Sequence, residues 1–201
     1  MDLHNFLRSR RSIRRFKPAQ VETVVLTRIL ETATHAPSAH NRQPWRFAVL
    51  TQAHQKAKLS ELLAVDFRRD LVGDGLDPIE IEARLERSKA RINASPVVIV
   101  LCMDMSEMDI YTDPFGSRAL AERTMAVQSV AAAGLQLQLA AHAEGLDSVW
   151  TCGPLFTPQT VKFALDLPEN WEPQAMFFLG YAAEAPKQKT LKMLDEVVKF
   201  L

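Results

Sequence analysis

Cysteine is scarce in this chain. Cys102 and Cys152 are the only two in 201 residues, too few for a disulfide framework. Free thiols suit a reducing compartment, and the charged stretch 1–16 has no apolar core of the kind a secretory signal carries, so a cytoplasmic location is expected. No apolar run approaches the roughly 18 to 20 residues that a membrane-crossing helix needs. An excess of one charge sign is also lacking. Lys plus Arg and Asp plus Glu both number 24, whereas nucleic-acid binders usually carry a clear basic surplus. Neither a membrane nor a nucleic acid is expected as a partner.

The signatures of self-sufficient catalysis are missing as well. No GxGxxG follows a strand pattern, and there is no phosphate-binding P-loop. No GxSxG elbow for a nucleophilic serine is present. No HExxH or CxxC appears, and His4, His35, His40, His54 and His142 have no ligand spacing, which argues against a metal site. An enzyme that borrows its chemistry from an organic cofactor would look like this, and so would a binding protein.

What is present reads as one domain over residues 1–201, without repeats or polar linkers. Helical spacing predicts helices over 2–10, 21–35, 52–65, 79–93, 116–144 and 158–165. The long Ala-rich pattern at 116–144 stops before Gly145, a plausible C-terminal cap. Strands are predicted at 46–51, 96–103, 147–151 and 174–182. The continuous apolar runs PVVIVLCM and QAMFFLGYA suit strands buried on both faces. Residues 67–78, with Gly73 and Gly75, read as a loop, as does the acidic stretch 104–114; the tail 195–201 fits strand or helix. Helices and strands interleave without a strict βαβ rhythm, so the expected class is α+β, a central mixed sheet flanked by helices.

Two polar constellations stand out. RSRRSIRRF at residues 8–16 is a dense run of guanidinium and hydroxyl donors. Guanidinium groups bind phosphate through charge-assisted bonds, although a basic turn can equally be no more than solvated. The run is short and balanced by the rest of the chain, which favours a single anionic ligand over a polymer. PSAHNRQPWRF at 37–47 joins the first long helix to the first strand. Pro37 and Pro44 stiffen it, so Ser38, His40, Asn41, Arg42 and Gln43 can present fixed donors and acceptors to a planar ring. A well-capped connector with Trp45 in the core fits this loop too.

Taken together and in this order, RRSIRRF followed by APSAHNRQPWRF resembles the nitroreductase family of flavoproteins. The resemblance continues through Gly145-Leu146-Asp147-Ser148-Val149-Trp150, Pro186-Lys187-Gln188-Lys189 and a C-terminal segment at 194–198 that is similar to the family's last strand. It implies an α+β homodimer with FMN at the subunit interface, C-terminal strand exchange, and the long Ala-rich helix at the dimer axis. Arg10, Arg11 and Ser12 match the stretch expected to contact the phosphate and ribityl groups. Arg14 matches the cation near the pyrimidine end of the ring, where it would stabilise the reduced, anionic flavin. Asn41 matches the asparagine that reaches the flavin from the partner subunit. Cys152 and Gly153 match the turn beside the ring, and Lys187 and Lys189 the late basic pair at the phosphate. Many relatives carry Glu-Gly at that turn, so backbone contact is expected there.

Further segments at 69–75, 79–84, 120–123 and 167–173 are similar to the reductase domain of enzymes that build the deazaflavin coenzyme. The resemblance implies ping-pong chemistry: NAD(P)H reduces FMN, which then reduces a small conjugated or nitro-type acceptor. His40, Cys152 and loop 104–114 are expected on the substrate side. A flavin carrier or sensor without turnover, a relative that remodels the flavin itself, and a basic-loop interaction protein are the alternatives.

Overall fold

A computed structural model describes residues 2–112 and 116–201. Four strands make one sheet: β1 (Trp45–Leu50), β2 (Val97–Asp104), β3 (Asp147–Thr151) and β4 (Trp171–Gly180). Their order is β1-β2-β4-β3. All three strand pairings are antiparallel, and the parallel component of the expected mixed sheet is a single bridge between Ser12 and Ser148. The apolar run of β2 is wholly buried because helices cover both faces, a condition that parallel and antiparallel strands can both meet.

Alternation along β2 divides the core. Val97, Ile99, Leu101 and Met103 face a cluster with α2 (Thr23–Ala33) and α5 (Ser117–Ala143). Val98, Val100 and Cys102 face a second cluster with α3 (Ala53–Gly73), α4 (Pro78–Ala94) and α6 (Pro158–Leu165). The result is three layers, helices over sheet over helices. A bulge between Leu101 and Cys102 accommodates Pro173 of β4, whose ring nitrogen has no hydrogen to give to a ladder.

The predicted loop at 67–78 is corrected by the structure. Helix α3 runs on to Gly73 and only then turns. Gly75, at φ 75°, lets the chain close a Schellman cap, with Gly75 N–H donating to Val72 O (3.0 Å) and Leu76 N–H to Leu71 O (3.2 Å). The extra turns are held by tertiary packing: Leu71 is buried with Ile81 and Leu85 of α4.

At the chain start, α1 (Leu3–Ser9) docks through its last turn. Ser9 Oγ lies 2.8 Å from His142 Nε2 and the Phe6 ring stacks on that histidine at 5.1 Å. At the other end, α7 (Leu194–Val197) is a four-residue helix where the family resemblance implies a strand, and residues 185–201 are all exposed. Residues 105–112 form neither helix nor strand, while 113–114 of the expected acidic loop lie outside the described residues. Among the described residues no helix is long and apolar enough to cross a membrane, and no cluster of His, Cys, Asp and Glu could hold a metal.

Candidate functional site

The basic segment after α1 is laid against the sheet by backbone bonds. Ile13, 1% exposed, donates its N–H to Ser148 O (3.1 Å), and Lys17 N–H donates to Tyr181 O (2.8 Å). Ala183 N–H returns a bond to Arg15 O (2.9 Å). Burying Ile13 turns its neighbours Ser12, Arg14 and Arg15 outward. The segment following β4 is thereby brought beside them, and with it Lys187.

These residues line a cavity of about 570 Å³, within the range of ligand sites. Its walls carry Ser12, Arg14, Arg15, Arg87, Arg91 and Lys187. The one carboxylate present, Glu184, accepts from Arg14 N–H (3.1 Å) and lies 4.0 Å from Arg15 Nε. Five cations against one anion make the cavity strongly anion-attracting. Arg87 and Arg91 went unnoticed in the sequence, where 79–93 reads only as charged and helical. Their signal was there: the i, i+4 spacing sets both on one face, with Ala90 and Ala94 leaving room between.

Of the other residues singled out at the start of the chain, Arg10 caps the end of α1. Arg11 folds back, its Nη1 donating to Arg8 O (2.6 Å) and Arg10 O (2.9 Å). Neither lines the cavity, and Lys189, exposed in the tail, does not line it either.

Cys152 is exposed and Gly153 opens a short 3₁₀ turn, Gly153–Leu155. Thr151 and Gly153 border a second cavity of about 470 Å³ between this turn and the α3–α4 hairpin. Arg91 lines both cavities and so stands at their junction. The two cysteines differ sharply, since burial pushes the Cys102 thiol up to about 12. A thiol reagent at neutral pH should therefore modify Cys152 promptly and Cys102 only on unfolding. Two equally fast thiols in the native protein would contradict this arrangement.

Asn41 is elsewhere. Its loop carries left-handed backbone at His40 (φ 51°), Asn41 (φ 55°) and Gln43 (φ 49°), a strained run of non-glycine residues of the kind that gathers at functional sites. Ser129 Oγ accepts from Ala39 N–H (3.1 Å) and Ser38 Oγ from Gln43 N–H (3.1 Å). Arg42 pairs with Asp109 at 2.5 Å, and Asp109 N–H donates to the buried Glu122 carboxylate at 3.1 Å. The loop enters β1, one edge of the sheet, whereas Ser12 bridges to β3, the other edge. Three strand spacings, roughly 14 Å, separate those edges. Within one chain Asn41 and the cation-lined cavity do not meet.

Asp104 ties this loop to the sheet. Its carboxylate lies 2.9 Å from Arg46 Nη2 and accepts from Ser106 N–H (2.9 Å), Ser106 Oγ (2.5 Å) and Asn170 Nδ2 (3.1 Å). Burial pushes its pKa up, but the Ser106 bonds, Arg46 and Asn170 outweigh that and hold it below the ordinary range. Asp104→Ala should cost about 2–3 kcal/mol at pH 7, since it leaves Arg46 without its buried partner. With the folded pKa depressed, the contribution is present above the unfolded value near 4 and fades as pH falls through the folded value. Urea unfolding of parent and variant at pH 7 and pH 3 checks this: the gap should narrow at pH 3, and a constant gap would show that the loss is not electrostatic.

Comparison with known proteins adds a further line of evidence. The family model described as Nitroreductase family matches residues 7–181. Over 187 residues the chain is 29% identical to the NAD(P)H nitroreductase-type protein YfhC of Bacillus subtilis, covering 93% of this chain and 88% of that one. It is 30% identical over 180 residues to a 5,6-dimethylbenzimidazole synthase of Rhodospirillum rubrum, covering 87% and 79%. A nitroreductase-type protein of Exiguobacterium sibiricum, solved in complex with FMN, superposes with a TM-score of 0.77 at 21% identity over 100% of this chain and 98% of that one.

Proposed function

The chain belongs to the nitroreductase family, and from that premise we propose that it is an FMN-dependent NAD(P)H oxidoreductase acting as a cytoplasmic homodimer. The observation that carries this reading is the convergence of Ser12 and Arg14 from the start of the chain with Lys187 from its end in one cation-lined cavity. That donor set fits a phosphate monoester, which carries about two negative charges at neutral pH. Bound FMN would supply the transfer of hydride or electrons from NAD(P)H to a small conjugated or nitro-type acceptor, by a ping-pong scheme.

The chain's own residues bind and tune. Ser12, Arg87, Arg91 and Lys187 hold the phosphate and ribityl groups. Arg14 sets a fixed positive charge near the ring and favours its more negative redox state. Cys152 and Gly153 present backbone groups to the ring. Arg10 and Arg11, both half-buried, and the exposed Lys189 are assigned to the outer end of the phosphate site, which their long side chains would reach by rotating, Arg11 giving up its bonds to Arg8 O and Arg10 O. Asn41 comes from the partner subunit, a role supported by its place at the far edge of the sheet. A second subunit is further supported by exposed apolar residues on α5 (Leu120, 67%; Leu135, 50%) and in the tail (Phe200, 91%; Leu201, 108%).

The visible spectrum of the purified protein, before and after anaerobic NADPH or NADH, tests the reading. A flavin band near about 450 nm that bleaches supports it. Bound flavin that never bleaches points to another donor or to a carrier, and no flavin even with excess FMN overturns it. A second reading rests on the 30% identity to 5,6-dimethylbenzimidazole synthase: the flavin itself is remodelled. The mass of the flavin recovered after turnover in air separates the two readings. The reductase role in deazaflavin coenzyme synthesis is a special case of the first, with a dehydro precursor as acceptor.

A further inference from the structure

The segment that carries Arg10, Arg11 and Ser12 is pinned at both ends, and both pins flank one turn. At the far end Ile13 N–H donates to Ser148 O of β3 (3.1 Å). At the near end Ser9 Oγ lies 2.8 Å from Nε2 of His142, in the last turn of α5. The turn from α5 into β3 is itself closed by Gly145 N–H on His142 O (3.1 Å) and Leu146 N–H on Ala141 O (2.9 Å), so the two pins keep a fixed spacing.

Helix α1 needs the near pin. It has seven residues, none of them buried, and an isolated helix shorter than about 12–15 residues is marginal in water. Its Asp2 cap, which accepts from Asn5 N–H (3.0 Å), is local. Among the described residues, the hydrogen bond and the ring contact that tie α1 to another element both fall on His142: the Ser9 bond, and the Phe6 ring stacked at 5.1 Å. The serine fixes the direction of the bond. Its single hydrogen goes to Phe6 O (2.7 Å), so its oxygen accepts and Nε2 carries the hydrogen. Asp147 lies 4.0 Å from Nδ1, beyond hydrogen-bond reach, and Ser9 takes the directed bond of the ring.

We propose that His142 is a positioning residue for the flavin site: its Nε2–H clasps α1 and so holds Arg10, Arg11 and Ser12 at the phosphate end of the cation-lined cavity. His142 touches neither flavin nor substrate. Without the clasp the segment is fixed only at Ile13, and the residues before it swing about that point. The inference rests on the flavin reading for what the segment binds, whereas the clasp itself rests on His142, Ser9 and Phe6.

Limited trypsin digestion tests the clasp without reference to flavin. Cleavage after Arg8, Arg10 or Arg11 needs an extended, undocked chain, and mass spectrometry locates the cut. Losing one hydrogen bond and one ring contact, His142→Asn should be cut there roughly ten- to a hundredfold faster. An asparagine amide falls near Nδ1 of the histidine it replaces and a glutamine amide near Nε2, so His142→Gln should be cut several-fold more slowly than His142→Asn. Ser9→Ala, which leaves α5 and β3 untouched, should also be cut faster than the parent, and should add little to His142→Asn because the two share one bond. FMN affinity, from fluorescence titration, should fall several-fold in His142→Asn and Ser9→Ala and recover in part in His142→Gln. Equal cutting of His142→Asn and His142→Gln, or cutting that no variant changes, overturns the proposal. So does faster cutting with unchanged affinity in a protein that binds FMN, and there the flavin reading survives. The expected cutting pattern in a protein that takes no FMN upholds the clasp and sinks the flavin reading instead.

Discussion

Gly134→Val should destabilise the protein by about 3 kcal/mol or more, through overpacking of a filled core. A Cβ at Gly134 would lie 2.7 Å from Trp150 Cζ3, 2.9 Å from Trp150 Cη2 and 3.0 Å from Phe177 Cζ. Trp150 and Phe177 pack edge to face at 4.9 Å; Phe177 is fully buried and has no room to retreat, and the half-buried Trp150 can move only by giving up that contact. Valine adds two further methyl groups to that contact. Gly134→Ala is the informative companion. Alanine gains about 1 kcal/mol of helix propensity at a mid-helix site, yet overpacking costs about 1–3 kcal/mol, so the net effect is a smaller loss. For a chain of this size, 3 kcal/mol is roughly 6–12 °C in melting temperature. A thermal melt decides it: a valine variant melting within about two degrees of the parent would mean that α5 does not press on the sheet at this point. The glycine is what allows α5 to lie close over β3 and β4, and that contact fixes where Ser148 meets the basic segment.

The second large effect concerns the cofactor. Arg14→Glu combined with Lys187→Glu should lower FMN affinity roughly 10²- to 10⁴-fold, from two charge-assisted bonds of about 1.5–3 kcal/mol each. Reversal adds repulsion to loss, so the double variant should purify colourless, and its single components pale. Both residues are exposed, so folding should be spared, and an unchanged melting temperature in the absence of FMN separates the two effects. FMN titration followed by quenching of flavin fluorescence measures the change. The parent's FMN affinity should fall with added salt, narrowing the gap to the double variant, since a screened attraction is what was removed. Undiminished FMN occupancy in the double variant would place the phosphate outside this cavity.

Some of this was legible in the sequence because it is local. The helix at 158–165 and the strand at 147–151 carry their own periodicity, and both appear with those bounds. The long Ala-rich helix stops where Gly145 says it should. The α3 extension was not legible, because Gly73 and Gly75 look alike in the sequence and only packing against α4 shows that the helix passes the first and stops before the second. The α+β class was expected, but a buried apolar run is compatible with either strand direction, so the antiparallel pairing waited for the structure. The tail's short helix in place of a strand has the same origin: a strand needs a partner, and pairing is not a property of the segment.

The site divides in the same way. The basic run and the proline-bounded loop were visible as chemistry, since donors and stiff backbone are properties of short segments, and their order along the chain was enough to point to a family. Which of those donors converge was decided by the tertiary structure. Arg11 turned back onto α1, Arg87 and Arg91 joined from a helix that had read as merely charged, and Lys187 arrived through backbone bonds at Tyr181 and Ala183. Asn41 went to the opposite sheet edge. Convergence depends on strand order and on which faces the helices cover, and these are set by long-range burial of apolar area, which no window of sequence contains.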